Sequence, residues 1–333
     1  MRAFVLDGYG AIADHVRLAA IADPVPGPEE VLIEIHAASL NPIDFKIVHG
    51  DLKRVSKYQL PRPFGFDASG IVLSAGARAI RFKPGDVVYA RASRETIGTF
   101  AEKIALPEQF VALKPAAISY ADAAALPLVG LTTLQGFSRV KARAGQHILI
   151  HAGAGGIGTF AVQYARHLGL HVTTTTSSKN VDFVKSLGAD RVIAYDRGNY
   201  LEQGGDYDIV YDTLGGAFTI DAFKVVKRGG AVISLSGPPD RDFARREGAG
   251  WLVRAAVWLM SRKVYAASAE AGATYCWFFT EPSGDQLREI AGLVDRGAIK
   301  PVIDREFAFE QLPAALTYLE AGRARGKVVL RVR

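Results

Sequence analysis

Cysteine is nearly absent from this chain of 333 residues: Cys276 stands alone. No intrachain disulfide can form and no metal site can be assembled from several thiolates, so a cysteine-rich zinc lobe is excluded. The segment Met1-Arg2-Ala3-Phe4-Val5-Leu6 lacks the charged, apolar and cleavable regions of a secretory signal, which sets the expectation of a cytoplasmic protein. Internal repeats and low-complexity tracts are missing too. So is any recognisable nucleic-acid module. The formal charge of +6 comes from scattered lysines and arginines, which reads as a solvated surface with some steering of an anionic ligand.

Long apolar runs are equally scarce. The most apolar stretch, Trp251-Leu252-Val253-Arg254-Ala255-Ala256-Val257-Trp258-Leu259-Met260, follows a polar segment at 240–247 and is too short for a bilayer, which needs about 20 apolar residues. It is expected to pack on the body or on a partner subunit, with interfacial membrane contact or a lid over the substrate as alternatives. What is present suits a globular enzyme. Hydrophobic residues make up 49% and charged residues 22%, ample for a core, over a length that suggests two domains sharing a cleft.

One segment carries chemistry. His151-Ala152-Gly153-Ala154-Gly155-Gly156-Ile157-Gly158 lies between the apolar run Ile148-Leu149-Ile150 and the helix-like Thr159-Phe160-Ala161-Val162-Gln163-Tyr164-Ala165. In a G-x-G-x-x-G turn between strand and helix, one glycine allows the tight turn, one lets the backbone approach a pyrophosphate, and one lets the helix pack on the strand. The phosphates then meet the free N–H groups and the positive end of the helix dipole. A dinucleotide site is therefore expected over Gly153, Ala154, Gly155, Gly156, Ile157 and Gly158. After the second strand no acid follows to hold the ribose hydroxyls of NAD. Thr175-Thr176-Ser177-Ser178-Lys179-Asn180 stand there instead, hydroxyl donors and a cation suited to the 2′-phosphate of NADPH. Ser177 and Ser178 can also cap the next helix.

Residues up to about 121 alternate short apolar runs with Gly and Pro, as in a compact β domain. After Gln146, strand patterns at 147–150, 171–175, 191–193, 208–211 and 231–235 alternate with helix patterns at 159–168, 181–187 and 219–226, which predicts a doubly wound parallel sheet in an α/β fold. The helix pattern 284–295 and the strands Val302-Ile303 and Val328-Val329-Leu330 are expected to return to the first domain.

The motifs in their order resemble the medium-chain dehydrogenase/reductase superfamily, and within it the zinc-independent, quinone-oxidoreductase-like branch. They are Asn41-Pro42-Ile43-Asp44-Phe45-Lys46, Gly65-Phe66-Asp67-Ala68-Ser69-Gly70, Phe82-Lys83-Pro84-Gly85-Asp86, Leu126-Pro127-Leu128-Val129-Gly130-Leu131-Thr132-Thr133, the glycine turn, Leu187-Gly188-Ala189-Asp190 and Gly326-Lys327-Val328-Val329-Leu330. The resemblance implies a GroES-like β-rich catalytic domain over 1–122, completed by 265–333. It also implies a Rossmann NADPH-binding domain over 123–264, with a helical insertion near 240–262. Zinc-dependent members carry Cys near position 41 and His-Glu at 66 and 67. Here the residues are Asn41, Phe66 and Asp67, which cannot supply three zinc ligands; of the seven histidines, His147, His151, His167 and His171 fall within the nucleotide domain, while His15, His36 and His49 lack ligand spacing. No metal is expected.

Reduction is then the easier direction, because an electron-poor alkene or quinone spreads the incoming charge onto oxygen and needs only hydrogen-bond donors. The implied activity is NADPH-dependent reduction of quinones or of the C=C bond of α,β-unsaturated carbonyls, small electrophilic substrates. By the same resemblance Asn41, Lys46 and Thr132 line the nicotinamide end, and Ser177, Ser178, Lys179 and Tyr195 lie at the adenosine phosphate. Tyr195 could equally be strand-end packing, and Lys46 a surface lysine. Leu214, Gly215, Leu235 and Ser236 pass under the cofactor, since ligands gather at the carboxyl ends of parallel strands. Arg325 and Lys327 resemble a position that touches NADPH in some relatives. Tyr58 and Tyr275 are candidate proton donors or stacking residues, while Asp44 and Asp67 read as hydrogen-bond acceptors in turns. A homodimer is the expected assembly. The competing readings are an NADPH-binding sensor or scaffold without turnover, and a zinc alcohol dehydrogenase, against which the missing ligands argue.

Overall fold

The computed structural model describes every residue except 54–57, 247 and 249, and gives the backbone alone at Arg246. Positions 247 and 249 of the expected insertion thus lie outside the described residues. The chain forms two compact units, one of Met1–Leu131 with Glu281–Arg333, the other of Thr132–Thr280.

The first unit is built on a seven-stranded sheet. Its spatial order is Ile303–Ala308, Lys327–Arg331, Glu30–Leu40, Asp67–Ala75, Val87–Arg91 and Val111–Leu113, with Lys103–Pro107 also paired to Glu30–Leu40. The two C-terminal strands do return to this sheet, Val329 lying opposite Ser39 in antiparallel register. Along Glu30–Leu40 buried residues alternate with partly exposed ones and then run continuously, as a strand does when it passes from a one-sided surface into the interior. A smaller sheet joins Val16–Ala20, Arg2–Leu6 and Arg62–Pro63. The core between them contains Phe4, Phe64, Phe66, Phe100 and Phe309.

The second unit is a parallel six-stranded sheet in the order Arg191–Ala194, His171–Thr176, His147–Ile150, Tyr207–Asp212, Val226–Ser234, Thr274–Cys276. Numbered along the chain the order is 3-2-1-4-5-6, the doubly wound arrangement whose topological switch lies beside the first strand. The helices Gly156–His167 and Val181–Ser186 form where the sequence pattern placed them. The pattern at 219–226 is instead split into the short helix Ala217–Asp221, a turn of tighter helix and the start of a strand.

The boundary expected at 265 is corrected. Thr274–Cys276 pairs in parallel with Val226–Ser234, so the chain leaves this unit only after Thr280. The apolar stretch at 251–260 begins a longer helix, Trp251–Ala271. Past Met260 small residues sustain it until Gly272 adopts a left-handed conformation with φ 62° and ends it.

Candidate functional site

In the second unit the strand His147–Ile150 feeds the glycine turn, and the helix Gly156–His167 begins at Gly155, which offers no side-chain cap. Gly155 N–H turns back onto Ala152 O at 2.9 Å, and no side chain caps the first-turn amides that follow. Gly153 N–H donates to Thr175 O at 2.9 Å and Ala152 N–H to Thr175 Oγ1 at 3.1 Å, fixing the turn against the neighbouring strand. A Cβ on Gly158 would strike the Ala152 carbonyl oxygen and the Gly153 Cα, and one on Gly153 would strike Thr174 Oγ1. Bare backbone is thus required here by packing. A pyrophosphate fits this cradle in shape and charge. His151, first in the turn, is fully buried between the rings of Tyr200 and Phe218, and neither ring nitrogen has a hydrogen-bond partner.

The strand His171–Thr176 and its neighbour end together: Tyr195 N–H donates to Thr176 O at 3.0 Å. Tyr195 is 65% exposed and Lys179 is exposed, with Ser177 and Ser178 half-buried between them. Asp196, which the sequence reading missed, joins the group. Ser178 donates through its backbone N–H at 2.8 Å and its hydroxyl at 2.7 Å to the two carboxylate oxygens, holding the Asp196 carboxyl below its usual range. The signal for it was register. Thr176 lies opposite Ala194 in a parallel pair, so residues just beyond one strand end meet those just beyond the other.

At the far side of the switch, Asp212 is fully buried. It accepts from Leu214 N–H at 3.0 Å, Gly215 N–H at 2.9 Å, Thr219 Oγ1 at 2.6 Å and Ser234 Oγ at 2.7 Å. Those bonds fix the Leu214-Gly215 turn. Gly215, at φ 78°, packs so closely on Ser236 that a Cβ would collide with it, which brings together two of the expected positions. Leu235 N–H closes onto Asp212 O at 2.9 Å. Tyr275, a candidate proton donor, commits its hydroxyl to Pro238 O at 2.6 Å and is buried, which raises its pKa. Thr132 is buried, its hydroxyl 2.7 Å from that of Thr280.

In the first unit the expected residues Asn41 and Lys327 meet inside a buried polar cluster. Lys327 Nζ donates to Leu40 O at 2.8 Å and to Asn41 Oδ1, and lies 3.8 Å from Asp67 Oδ2. Asn41 Nδ2 donates to Asp67 Oδ2 at 2.9 Å, where Ser39 Oγ also donates at 3.2 Å, and Leu128 N–H reaches Asp67 Oδ1 at 3.0 Å. Because an ammonium can only donate, it fixes which end of the Asn41 amide is oxygen. Asp44 opens the helix Pro42–His49 by accepting the Asn41 N–H at 2.6 Å, while its other oxygen has no partner. Burial pushes the Asp44 carboxyl up to about 8, with Asp67 adding to the rise. Burial likewise raises Asp67 and lowers Lys327, and brings Arg91, over the ring of Phe66, down to about 10. Lys327 was expected at the cofactor. Its ammonium is used inside the unit, whereas Arg325 is exposed and Lys46 half-buried. Tyr58 is partly exposed, with the Arg62 guanidinium 5.2 Å from its ring centre. Among the described residues no group of three His, Cys, Asp or Glu side chains could hold a metal ion.

Two family profiles match the chain, one described as "Alcohol dehydrogenase GroES-like domain" over residues 27–116 and one as "Zinc-binding dehydrogenase" over 187–330. The 2-methylene-furan-3-one reductase of Solanum lycopersicum is 34% identical over 99% of this chain and 79% of its own length. The chloroplastic NADPH-dependent alkenal/one oxidoreductase of Arabidopsis thaliana is 33% identical over the same shares. Among solved structures, the quinone oxidoreductase from Coxiella burnetii superposes with a TM-score of 0.86 at 29% identity, covering 100% of this chain and 99% of that one. With the doubly wound unit, the GroES-like unit and the glycine turn in place, the chain belongs to the medium-chain dehydrogenase/reductase superfamily, in its quinone-oxidoreductase-like branch.

Proposed function

We propose that this chain uses NADPH to reduce a quinone or the C=C bond of an α,β-unsaturated carbonyl compound, without a metal. The observation that carries the reading is the glycine turn at the uncapped start of the Gly156–His167 helix, beside the switch of a 3-2-1-4-5-6 sheet. The bound nucleotide supplies hydride, and the names of the relatives indicate the acceptor class.

Asn41, Phe66 and Asp67 in place of zinc ligands support an acceptor whose charge is met by hydrogen bonds alone. Asn41 suits that work. Its Oδ1 is held by Lys327 and its Nδ2 by Asp67, which leaves the second amide N–H in a fixed direction for an oxygen. Ser177, Ser178, Lys179 and Tyr195 favour a 2′-phosphate. The Asp196 carboxylate at Ser178 favours the 2′-hydroxyl of NADH, and this one observation keeps a preference for NADH as the second reading. The edge strand Thr274–Cys276 supports a homodimer in which two such edges pair.

The test is steady-state oxidation of NADPH and of NADH by chelator-treated protein with one quinone and one α,β-unsaturated aldehyde. Turnover of either acceptor with NADPH is the expected result. Activity that returns only with zinc overturns the metal-free reading, and tight nucleotide binding without turnover of any acceptor turns the protein into a sensor.

A further inference from the structure

We propose that the first half of the Trp251–Ala271 helix docks on a bilayer rich in anionic phospholipid. This inference is independent of the reductase reading. Val257, Ser261, Val264 and Ser268 are buried at alternating spacings of four and three, and with Tyr265, Ala267 and Ala271 in the second half they seat the helix on its unit. At 100° per residue, Trp251, Leu252, Ala255 and Leu259 face the opposite way. All four are exposed, Trp251 at 74% and Leu252 at 64%, and beside them Trp258 and Met260 are 54% and 61% exposed. Six large apolar side chains in the ten residues 251–260 stand out of the surface, a patch of the kind that marks an interaction face.

The charge around the patch identifies its occupant. From Trp251 to Ala269 the helix carries Arg254, Arg262 and Lys263 and no acid. Arg262 and Lys263 continue the outward side one turn beyond Leu259. Arg241 and Arg245 stand next to it in a groove of about 640 Å³ that they line with Asp242, Trp251, Arg254 and Trp258. Asp242 is already engaged by Arg245 at 3.3 Å, and the Arg241 guanidinium lies 4.1 Å from the ring centre of Tyr265. A second copy seated symmetrically on this face would bring two such sets of cations together, a repulsive arrangement. A plane of lipid phosphates matches the cations, and the acyl boundary beneath accepts Trp, Leu and Met to a shallow depth. No helix among the described residues is long and apolar enough to cross a membrane, so the helix would lie in the plane of the surface.

The experiment is co-sedimentation of the full chain with phosphatidylcholine vesicles, with and without about one third phosphatidylglycerol. Binding is expected to the anionic vesicles only, with a blue shift of tryptophan emission, and to weaken at least tenfold as salt rises from about 0.1 M to about 1 M. Arg254→Gln and Lys263→Gln are each expected to cost about fivefold in partitioning. The pair Trp258→Ser and Leu259→Ser is expected to abolish binding while unfolding as the parent does, since both side chains face solvent. Equal binding to both vesicle types, or none to either, overturns the proposal. So does a dimer in solution that the Trp258→Ser, Leu259→Ser protein fails to form, because a second copy is then the occupant.

Discussion

Replacing Asp44 with asparagine isolates the strangest electrostatic feature of the first unit. The carboxyl is fully buried with one oxygen bonded to the Asn41 N–H and the other bonded to nothing, and burial raises its pKa from 3.8 to about 8. Below about pH 4 the carboxyl is protonated in both folded and unfolded chains, and its contribution to stability is fully present. Between about pH 4 and pH 8 the unfolded chain releases a proton that the folded chain keeps, so stability falls as pH rises, and above about pH 8 the contribution is lost. Each tenfold change in proton affinity corresponds to about 1.4 kcal/mol, so the whole change is at most about 6 kcal/mol. An asparagine keeps the carbonyl that caps the helix and does not titrate. Asp44→Asn should therefore gain on the parent by up to about 6 kcal/mol between about pH 4 and pH 8. All three tryptophans lie in the second unit, so the probe should be amide exchange in the strands Glu30–Leu40 and Asp67–Ala75, corrected for intrinsic rates. Parallel pH profiles for parent and variant would sink this reasoning.

Three further outcomes follow from the second unit. Gly158→Ala should weaken NADPH binding by at least about tenfold in a fluorescence titration, because its methyl must displace the turn proposed to receive the phosphates; unchanged affinity would remove the turn from the site. Asp196→Asn should shift the NADPH/NADH ratio of kcat/KM toward NADPH by about fivefold, because it removes a charge that repels the 2′-phosphate, and no shift would mean that Asp196 does not face the nucleotide. Tyr275→Phe should leave kcat and its pH profile unchanged and cost about 1 kcal/mol of stability, since the phenol is bound to Pro238 O; a collapse of kcat would restore it as the proton donor.

The second unit was legible because its signals are local. A glycine turn between a strand and a helix, then alternating periods, specify the sheet without reference to anything distant. Thr274–Cys276 escaped because a three-residue strand after a long apolar helix has no periodicity to read. In the first unit Lys327, Asn41 and Asp67 were named separately, but not as one cluster. Residues 286 apart meet only when the final strand inserts beside Glu30–Leu40, and nothing in either neighbourhood announces that register. Asp196 was hidden for the same reason, eighteen residues from Ser178 along the chain. The Trp251–Ala271 helix kept its amphipathic ambiguity in sequence, since which stripe is buried depends on what lies beneath.

His151 gives the nucleotide turn an acid limit of its own. Burial lowers its pKa below the usual 6.5, and with both ring nitrogens unpartnered an added proton finds no acceptor. The unfolded chain begins to take up that proton near pH 6.5, so the stability His151 permits is present above that pH and lost as pH falls below it. Asp44 runs the other way in the first unit, losing ground as pH rises. One unit is thus weakened by base and the other by acid, so the two lose stability in opposite directions of pH through two side chains that never meet solvent.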